Sequence, residues 1–190
     1  MLTADQLRKC RDVPAILSCA LDRSMEVSKS DFGNVQLMNW KSGVLELDEQ
    51  RGFQTEFLNF FARVKLQDGT ACARALHSRD AIIVEDVMAD PNFAPCRGII
   101  DRAGVRAVQS TPLISTSGAL VVILSTHFAV PSRPTEQQML AMRNASQLVA
   151  NAIIRVRART TINHIENSTR LVGESQQALA TAEKILSRTC

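Results

Sequence analysis

The stretch VRAVQSTPLIS (residues 105–115), TSG (116–118) and ALVVILSTHF (119–128) decides the fold of this chain. Both arms are rich in β-branched residues, which favour strands, and the glycine-containing segment between them is typical of a turn. Two strands that are joined by so short a turn run antiparallel. The stretch therefore predicts a long β-hairpin within an antiparallel sheet.

A second hairpin precedes the first in the chain. Apolar residues alternate with others over 35–40, a run that Trp40 closes, and again over 45–48. Between the two runs, KSG (41–43) is typical of a hairpin turn. A brief apolar run at 82–84 predicts a further buried strand.

The segments between these strands have helical patterns. Residues 54–78 are predicted to be helical, apart from an Asp-Gly turn at 68–69 that precedes a short helix around 72–77. Residues 92–103 form a second helical connector. The longer segment carries one predicted apolar stripe, made of Phe57, Phe60, Phe61 and Val64.

Helices are also predicted at both ends of this core. Thr3 with Gln6 fits a capping box, and Asp12 can cap a longer helix that has Pro14 in its first turn. Residues 135–159 predict a long amphipathic helix. Because each terminal helix has a single apolar stripe, we expect both on one face of the sheet, with the connectors and a pocket on the other.

Composition excludes several classes of protein. The chain has 190 residues, 45% of them hydrophobic, and a net charge of +3 with basic and acidic residues interleaved. This pattern is not that of a nucleic-acid binder, which concentrates its basic residues on one face. No apolar run is long enough for a membrane span. The cysteines are odd in number and irregularly spaced, which predicts no disulfide framework or zinc site and a cytoplasmic location; they are Cys10, Cys19, Cys72, Cys96 and Cys190.

Residues 160–190 form a weaker, heptad-like pattern. The positions of the pattern are spaced alternately by three and four residues, and polar residues occupy some of them. Gly173 weakens a helix by about 1 kcal/mol relative to alanine. The segment fits a helical dimer extension, and it also fits a frayed tail. The proposed seam consists of Ile162, Ile165, Thr169, Val172, Gln176, Leu179, Glu183 and Leu186.

Several segments together resemble GAF domains of bacterial sensor proteins of the type associated with histidine kinases. They are ALDRSME (20–26), DFGNVQLM (31–38), RGF (51–53), FLNFF (57–61), VEDV (84–87), AGVRAVQSTPL (103–113) and LSTHF (124–128). The resemblance implies an α+β fold related to PAS domains, with a central six-stranded antiparallel sheet. It places the N- and C-terminal helices on one face and the connector helices on the other, and it implies frequent dimers.

The chain divides on this basis into three parts. Residues 1–11 are a helical lead-in, 12–159 the GAF domain and 160–190 a helical extension or tail. The cofactor is left unknown. Bilin-binding members use a cysteine commonly followed by histidine, whereas Cys72 precedes Ala73 and Cys96 precedes Arg97. The Asn-Lys pair of cyclic-nucleotide-binding members does not occur.

The long hairpin also predicts a candidate site. If its turn is tight, partner numbers sum to 233, so that Arg106 pairs with His127 and Val108 with Ser125. Arg106, Ser110, Ser125 and His127 then share one side, opposite an apolar side that holds Val105, Leu113, Leu120, Val122, Leu124 and Phe128. An arginine with two hydroxyls suits an anionic or polar ligand. The alternative is local hydrogen bonding of the serines and pairing of Arg106 with an acidic neighbour.

The connectors supply further candidates. Cys72, Cys96, Phe57, Phe61 and Phe93 are predicted to face this ligand site, and core packing is the alternative role for each. No motif of a hydrolase, nucleotide-binding loop or metal site is present, which predicts that the chain is not an enzyme. We expect a sensory domain of a two-component system, acting as a homodimer through its terminal helices on a histidine kinase or other signalling protein. The alternatives are a ligand-free docking module for a kinase and a cysteine-based redox sensor.

Overall fold

The computed structural model describes residues 3–39 and 41–186 of the chain. Two predicted features, the strand-closing Trp40 and the fifth cysteine Cys190, lie outside the described residues. The chain has two compact units, one up to Ile154 and one from Arg155 onward. The predicted boundaries at residues 12 and 159 stay predictions.

The first unit is built around one six-stranded antiparallel sheet, which confirms the predicted fold class. Its strand order is β3-β2-β1-β6-β5-β4, so that the two long hairpins meet where β1 pairs with β6. The strands are β1 (Phe32–Asn39), β2 (Val44–Arg51), β3 (Arg63–Lys65), β4 (Ile82–Val84), β5 (Ala107–Ile114) and β6 (Leu120–Phe128).

Helices precede, connect and follow these strands. The first two helices start as predicted: Thr3 and Gln6 form a capping box at α1, and the Asp12 carboxylate accepts the Ala15 N–H at 2.8 Å at α2. The helices are α1 (Ala4–Lys9), α2 (Val13–Ser28), α3 (Thr55–Phe61), α4 (Ala71–Ser78), a 3₁₀ helix (Pro91–Cys96), α5 (Arg97–Arg102) and α6 (Glu136–Leu186).

The predicted helical run over 54–78 is wrong in its middle, because it contains the edge strand β3. Val64 is buried and pairs with Leu45 of β2, while its neighbours in β3 are exposed. Phe60, placed on the predicted apolar stripe, is 55% exposed. A three-residue strand with one apolar position has no periodicity of its own, and only its distant partner β2 makes it a strand.

The register of the long hairpin differs from the predicted one by two residues. Ser110 pairs with Ser125 and Val108 with His127, because the turn is one residue longer than predicted and β6 has an extra residue, Val121, opposite the step from Leu113 to Ile114. The Ser115 N–H donates to the Ala119 carbonyl at 2.9 Å. A shift of two residues preserves which face each side chain occupies, since strand side chains alternate with period two.

The two faces of the sheet are covered as predicted. Helix α2 contacts β1, β2 and β6, and α4 contacts β4, β5 and β6 from the connector side. A Cβ on Gly33 in β1 would lie 2.8 Å from the Leu21 side chain of α2, so this glycine permits the close approach of the helix. The Asn151 side chain of α6 accepts hydrogen bonds from Thr116 in the β5–β6 turn.

Three features of the sheet faces differ from the sequence prediction. Val105 and Leu120 belong to the core on the connector side rather than to the helix-facing side. Val105 precedes β5 and follows Gly104, whose φ is +73°, and Leu120 lies on the turn side of the extra residue Val121, so that neither obeys the strand alternation. The helix-facing side also holds three buried polar residues, Gln109, Thr111 and Thr126, and is less uniformly apolar than predicted.

Helix α6 continues through the second unit. Residues 157–179 of this helix are exposed, and Gly173 does not interrupt it. Large apolar side chains are exposed along it, namely Ile162, Ile165, Leu171, Val172 and Leu179. Among the residues described, no helix is both long and apolar enough to cross a membrane.

Candidate functional site

A cavity lies between the sheet and the connector helices. Its volume is about 40 Å³, and its wall combines β1, β5 and β6 with α3, the start of α4, the 3₁₀ helix and α5. The lining residues are Asn34, Gln36, Phe57, Phe61, Thr70, Ala71, Cys72, Val87, Phe93, Ile100, Val105, Val108, Ser110, Ser125 and His127.

The structure brings together most of the predicted site residues. Seven of the nine line the cavity: Ser110, Ser125, His127, Cys72, Phe57, Phe61 and Phe93. Arg106 and Cys96 are not part of its wall. Ligand binding by any of the nine stays a prediction.

Arg106 is engaged outside the cavity. It precedes β5, and its guanidinium forms two hydrogen bonds with Asp86, at 3.3 Å (Nε–Oδ1) and 2.8 Å (Nη2–Oδ2). The Arg106 hydrogen bond holds the pKa of the Asp86 carboxyl below its usual value. The expectation of an anionic ligand rested on this arginine, and the cavity wall contains no Arg, Lys, Asp or Glu.

His127 is a neutral hydrogen-bonding group. Burial lowers the pKa of His127 from 6.5 to about 3, because the charged form would lose its hydration. Its Nε2 lies 3.2 Å from Oδ1 of Asn34. Its ring is nearly perpendicular to that of Phe53, and the two ring centroids are 5.0 Å apart. Because an amide oxygen only accepts hydrogen bonds, this contact fits the neutral tautomer in which Nε2 donates to Asn34 Oδ1.

Three other polar side chains of the sheet reach the cavity. The hydroxyl groups of Ser110 and Ser125 lie 2.7 Å apart and satisfy each other across paired strands. Gln36 is 1% exposed, and its Oε1 is buried without a hydrogen-bond partner. A buried acceptor without a partner costs about 1–3 kcal/mol of stability, so Gln36 is the unsatisfied residue among these three.

Sequence reasoning missed Asn34, Gln36 and Thr70. Asn34 and Gln36 alternate with Val35 on β1, and two polar residues at every second position of a predicted strand were the available signal. Their place beside Ser125 depends on the pairing of β1 with β6. Thr70 caps α4, and its hydroxyl oxygen lies 3.2 Å from the Cys72 sulfur.

The two connector cysteines are buried thiols. Burial raises the pKa of both Cys72 and Cys96, because a thiolate would lose its hydration. Cys96 packs in the core, and its thiol lies 3.5 Å from the Phe93 carbonyl. Neither environment favours the thiolate that nucleophilic or redox chemistry needs.

The sequence over residues 10–154 matches the family described as GAF domain. The chain belongs to the GAF domain family. The cavity thus lies in a GAF domain, between its sheet and its connector helices. Among the described residues, no group of three or more histidine, cysteine or acidic side chains could hold a metal ion.

One relative with a curated description is a sensor. It is a methyl sulfide methyltransferase-associated sensor from Methanosarcina acetivorans, 26% identical over 91 residues. The match covers 48% of this chain and 9% of that relative. It therefore concerns a small part of a much longer protein.

Solved GAF-like structures share the fold at low identity. A domain named as part of a two-component sensor histidine kinase from Sinorhizobium meliloti superposes with a TM-score of 0.66 at 18% identity, covering 78% of this chain and 94% of that one. A GAF domain of a phosphoenolpyruvate-protein phosphotransferase from Coxiella burnetii gives 0.70 at 15% identity, covering 83% and 91%.

An enzyme also shares this GAF fold. Free methionine-R-sulfoxide reductase from Neisseria meningitidis, solved with its substrate, gives a TM-score of 0.67 at 18% identity, covering 82% of this chain and 86% of that one. The fold is thus shared by proteins named as sensors and by an enzyme, and by itself it does not distinguish between these functions.

Proposed function

We propose that this GAF domain is a sensory domain that binds a small, uncharged, polar molecule in the cavity and transmits its occupancy through α6. The observation that carries the proposal is Gln36 Oε1, a buried acceptor in the cavity wall that has no partner. A ligand with an N–H or O–H group would satisfy it and recover the cost of its burial.

The wall of the cavity selects against charged ligands. It contains no ionised side chain, and His127, with a pKa of about 3, is neutral at neutral pH. An ion that enters an apolar cavity without a countercharge loses its hydration at a large cost. The hydroxyl, amide and imidazole groups of the wall instead offer a few directed hydrogen bonds within an apolar surround.

The size of the cavity links binding to movement. A water molecule needs roughly 10–15 Å³ of such space, and about 40 Å³ therefore holds a few waters or a very small molecule. A larger ligand would have to displace Phe61 or Phe93 and move the connectors outward. Such a ligand shifts the protein between states only if its affinity for them differs.

We further propose that α6 carries the signal within a homodimer. The exposed apolar side chains of 157–179 include Ile162, Ile165, Val172 and Leu179, which follow alternating steps of three and four with polar residues in two of the positions. This spacing is typical of a coiled-coil seam. A histidine kinase or another cytoplasmic signalling protein is the proposed recipient, in line with the sensor relative.

Native mass spectrometry tests the ligand proposal. Protein purified from its own host is measured gently and then after denaturation. We expect a small-molecule adduct that is lost on denaturation and is absent from a Gln36→Met variant, which keeps the side-chain volume but removes the amide. A variant that retains the adduct at full occupancy contradicts the role assigned to Gln36.

The alternative is a ligand-free module that dimerises or docks on a kinase. The exposed apolar seam on α6 favours this alternative, because dimerisation through the seam does not require a ligand in the cavity. A bare dimer mass from the same preparation supports this alternative. A monomer in sedimentation experiments, unchanged when Ile165 and Val172 are replaced by lysine, contradicts the dimer in both proposals.

A further inference from the structure

Two cysteines that the candidate site does not use lie together at the junction of α1 and α2. Cys10 follows the last residue of α1, and Cys19 lies in the second turn of α2. The Cys10 sulfur lies 3.6 Å from the Gln6 carbonyl and 3.7 Å from the Ala15 carbonyl. Its thiol therefore lies against the first turn of α2.

Helix geometry places Cys19 at the same point. In an α-helix the N–H of residue 19 bonds to the carbonyl of residue 15, the group that the Cys10 thiol also contacts. Helical side chains tilt toward the N-terminus, which directs the Cys19 side chain over the Ala15 turn. The two cysteines are thus brought to the same turn of α2, one by its contact with the Ala15 carbonyl and the other by the geometry of the helix.

This pair differs from the two cysteines of the connectors. Cys10 and Cys19 are both partly exposed, whereas Cys72 and Cys96 are buried. Small oxidants therefore have access to the pair, and each thiol has a second thiol beside it. A lone exposed thiol has no such resolving partner.

We propose that Cys10 and Cys19 are a redox-active dithiol that closes to an intramolecular disulfide and so tethers α1 to α2. The oxidant is a small-molecule disulfide of the glutathione class. One cysteine thiolate attacks a sulfur of the oxidant, forms a mixed disulfide and releases one small thiol. The second thiolate attacks the protein sulfur of that mixed disulfide, closes the bridge and releases the second small thiol.

Both steps balance. Two protein thiols lose two protons and two electrons to become one disulfide, and the oxidant is reduced to two small thiols. Burial, with a smaller contribution from Cys19, raises the pKa of the Cys10 thiol. Closure is therefore faster in mildly alkaline solution, where more thiolate is present. This proposal does not depend on a ligand in the cavity.

Oxidation in glutathione buffers tests the pair in the full chain. The folded protein is equilibrated with a fixed ratio of reduced to oxidised glutathione, acid-quenched and digested with trypsin. Cleavage after Lys9, Arg11 and Arg23 leaves Cys10 and Cys19 on separate peptides, 10–11 and 12–23. We expect these peptides joined and two hydrogens lighter than their sum, with the peptides of Cys72 and Cys96 unbridged.

The same oxidation in urea shows whether the bridge depends on the fold or only on the short distance between the two cysteines along the chain. We expect the equilibrium constant for bridging to be at least about tenfold larger in the folded chain than in urea, because folding raises the effective concentration of the two thiols. Cys10→Ser and Cys19→Ser should each abolish the bridge, whereas Cys72→Ser should keep it. Equal bridging in urea, free thiols in the folded chain, or disulfides only between copies would each overturn the proposal.

Discussion

The two faces of the β5–β6 hairpin carry similar polar residues, but only on one face are these residues hydrogen-bonded to other side chains. On the connector side, Ser110 and Ser125 lie opposite each other and bond at 2.7 Å, and His127 bonds to Asn34. On the helix-facing side, the hydroxyl groups of Thr111 and Thr126 are buried without a partner. The connector face of this hairpin is thus largely satisfied, and the helix face is not.

The difference shows where each face can change. On the connector side of this hairpin the polar side chains are hydrogen-bonded to other side chains. The unpartnered group on that side is Gln36 Oε1, on the neighbouring strand β1. On the helix side, Thr111 borders an open groove of about 360 Å³ between β5 and the first turns of α6, beside Met139 and Met142. Unpartnered hydroxyls reduce the free energy gained when α6 packs there, which suits a helix that is proposed to transmit the occupancy of the cavity.

The largest expected effect tests whether α6 packs firmly at all. Ile153 is fully buried in the first unit, and Ile153→Ala should lower the free energy of unfolding by about 2–5 kcal/mol, because it removes buried methyl groups and leaves a cavity. Leu148→Ala, at a 38% exposed position of the same helix, is the control and should cost no more than about 1 kcal/mol. Equal small losses in urea unfolding would show that this helix contributes little to the core.

The next effect concerns acid and the connector face. The pKa of His127 is about 3 in the folded chain, against 6.5 for a histidine in water, so the unfolded chain binds more protons between these values. Stability should therefore fall as the pH drops below 6.5, by about 2.5 kcal/mol between pH 7.5 and pH 4.5 from this residue.

His127→Gln isolates this contribution. The variant keeps a polar side chain and removes the titrating ring, so its unfolding free energy should fall by about 2.5 kcal/mol less than that of the parent over the same range. Carboxylates whose pKa is lowered, such as Asp86, titrate in both proteins and cancel in the difference. Parallel pH profiles of the two proteins would contradict the buried, neutral histidine.

A smaller effect tests the satisfied serine pair. Ser110→Ala should lower the free energy of unfolding by about 1–2 kcal/mol, because the buried Ser125 hydroxyl loses its partner. Replacing both serines by alanine should recover part of this loss, since no polar group is then left unpaired. A double variant that is less stable than the sum of both single losses would contradict this explanation.

The smallest effect has the opposite sign one residue further along β5. Thr111→Val replaces an unpartnered hydroxyl by a methyl group and should raise the free energy of unfolding by about 0.5–1 kcal/mol. Denaturant unfolding of Ser110→Ala and Thr111→Val side by side makes the comparison direct. A loss of stability in Thr111→Val would mean that its hydroxyl is satisfied, and the contrast between the faces would disappear.

Much of the fold was predictable because its signals are local. The cap at Asp12, the turn at 41–43 and the alternation along β5 and β6 each depend on residues close in sequence, and all are confirmed. Strand β3 was missed because Val64 is apolar between two charged residues, and its strand character comes from pairing with Leu45. The register was two residues off because neither the longer turn nor the extra residue Val121 on β6 changes the alternation pattern enough to be seen in the sequence.

The candidate site was predictable to a smaller extent. Three of the seven predicted cavity residues, Ser110, Ser125 and His127, were placed correctly because period-two alternation survives a shift of two residues. The other four lie on the connector helices, which were predicted to cover this face. Arg106 was misplaced because the prediction extended β5 through it, whereas β5 begins at Ala107 and the Arg106 guanidinium pairs with Asp86. The prediction did not anticipate Gln36 as the unsatisfied group, because no local pattern tells which buried polar atom lacks a partner.

The resemblance of several segments to GAF domains predicted the fold. Residue spacing predicted most helices, both hairpins and the shared face of residues in regular strands, because these features depend on residues within one segment. Only the three-dimensional structure shows that the cavity wall is uncharged, that His127 is neutral, and that Cys10 lies against the Ala15 turn of α2. Each of these depends on groups that are brought together from separate elements. Burial and hydrogen bonding depend on the distances between such groups in space, and these distances cannot be read from the order of residues in the chain.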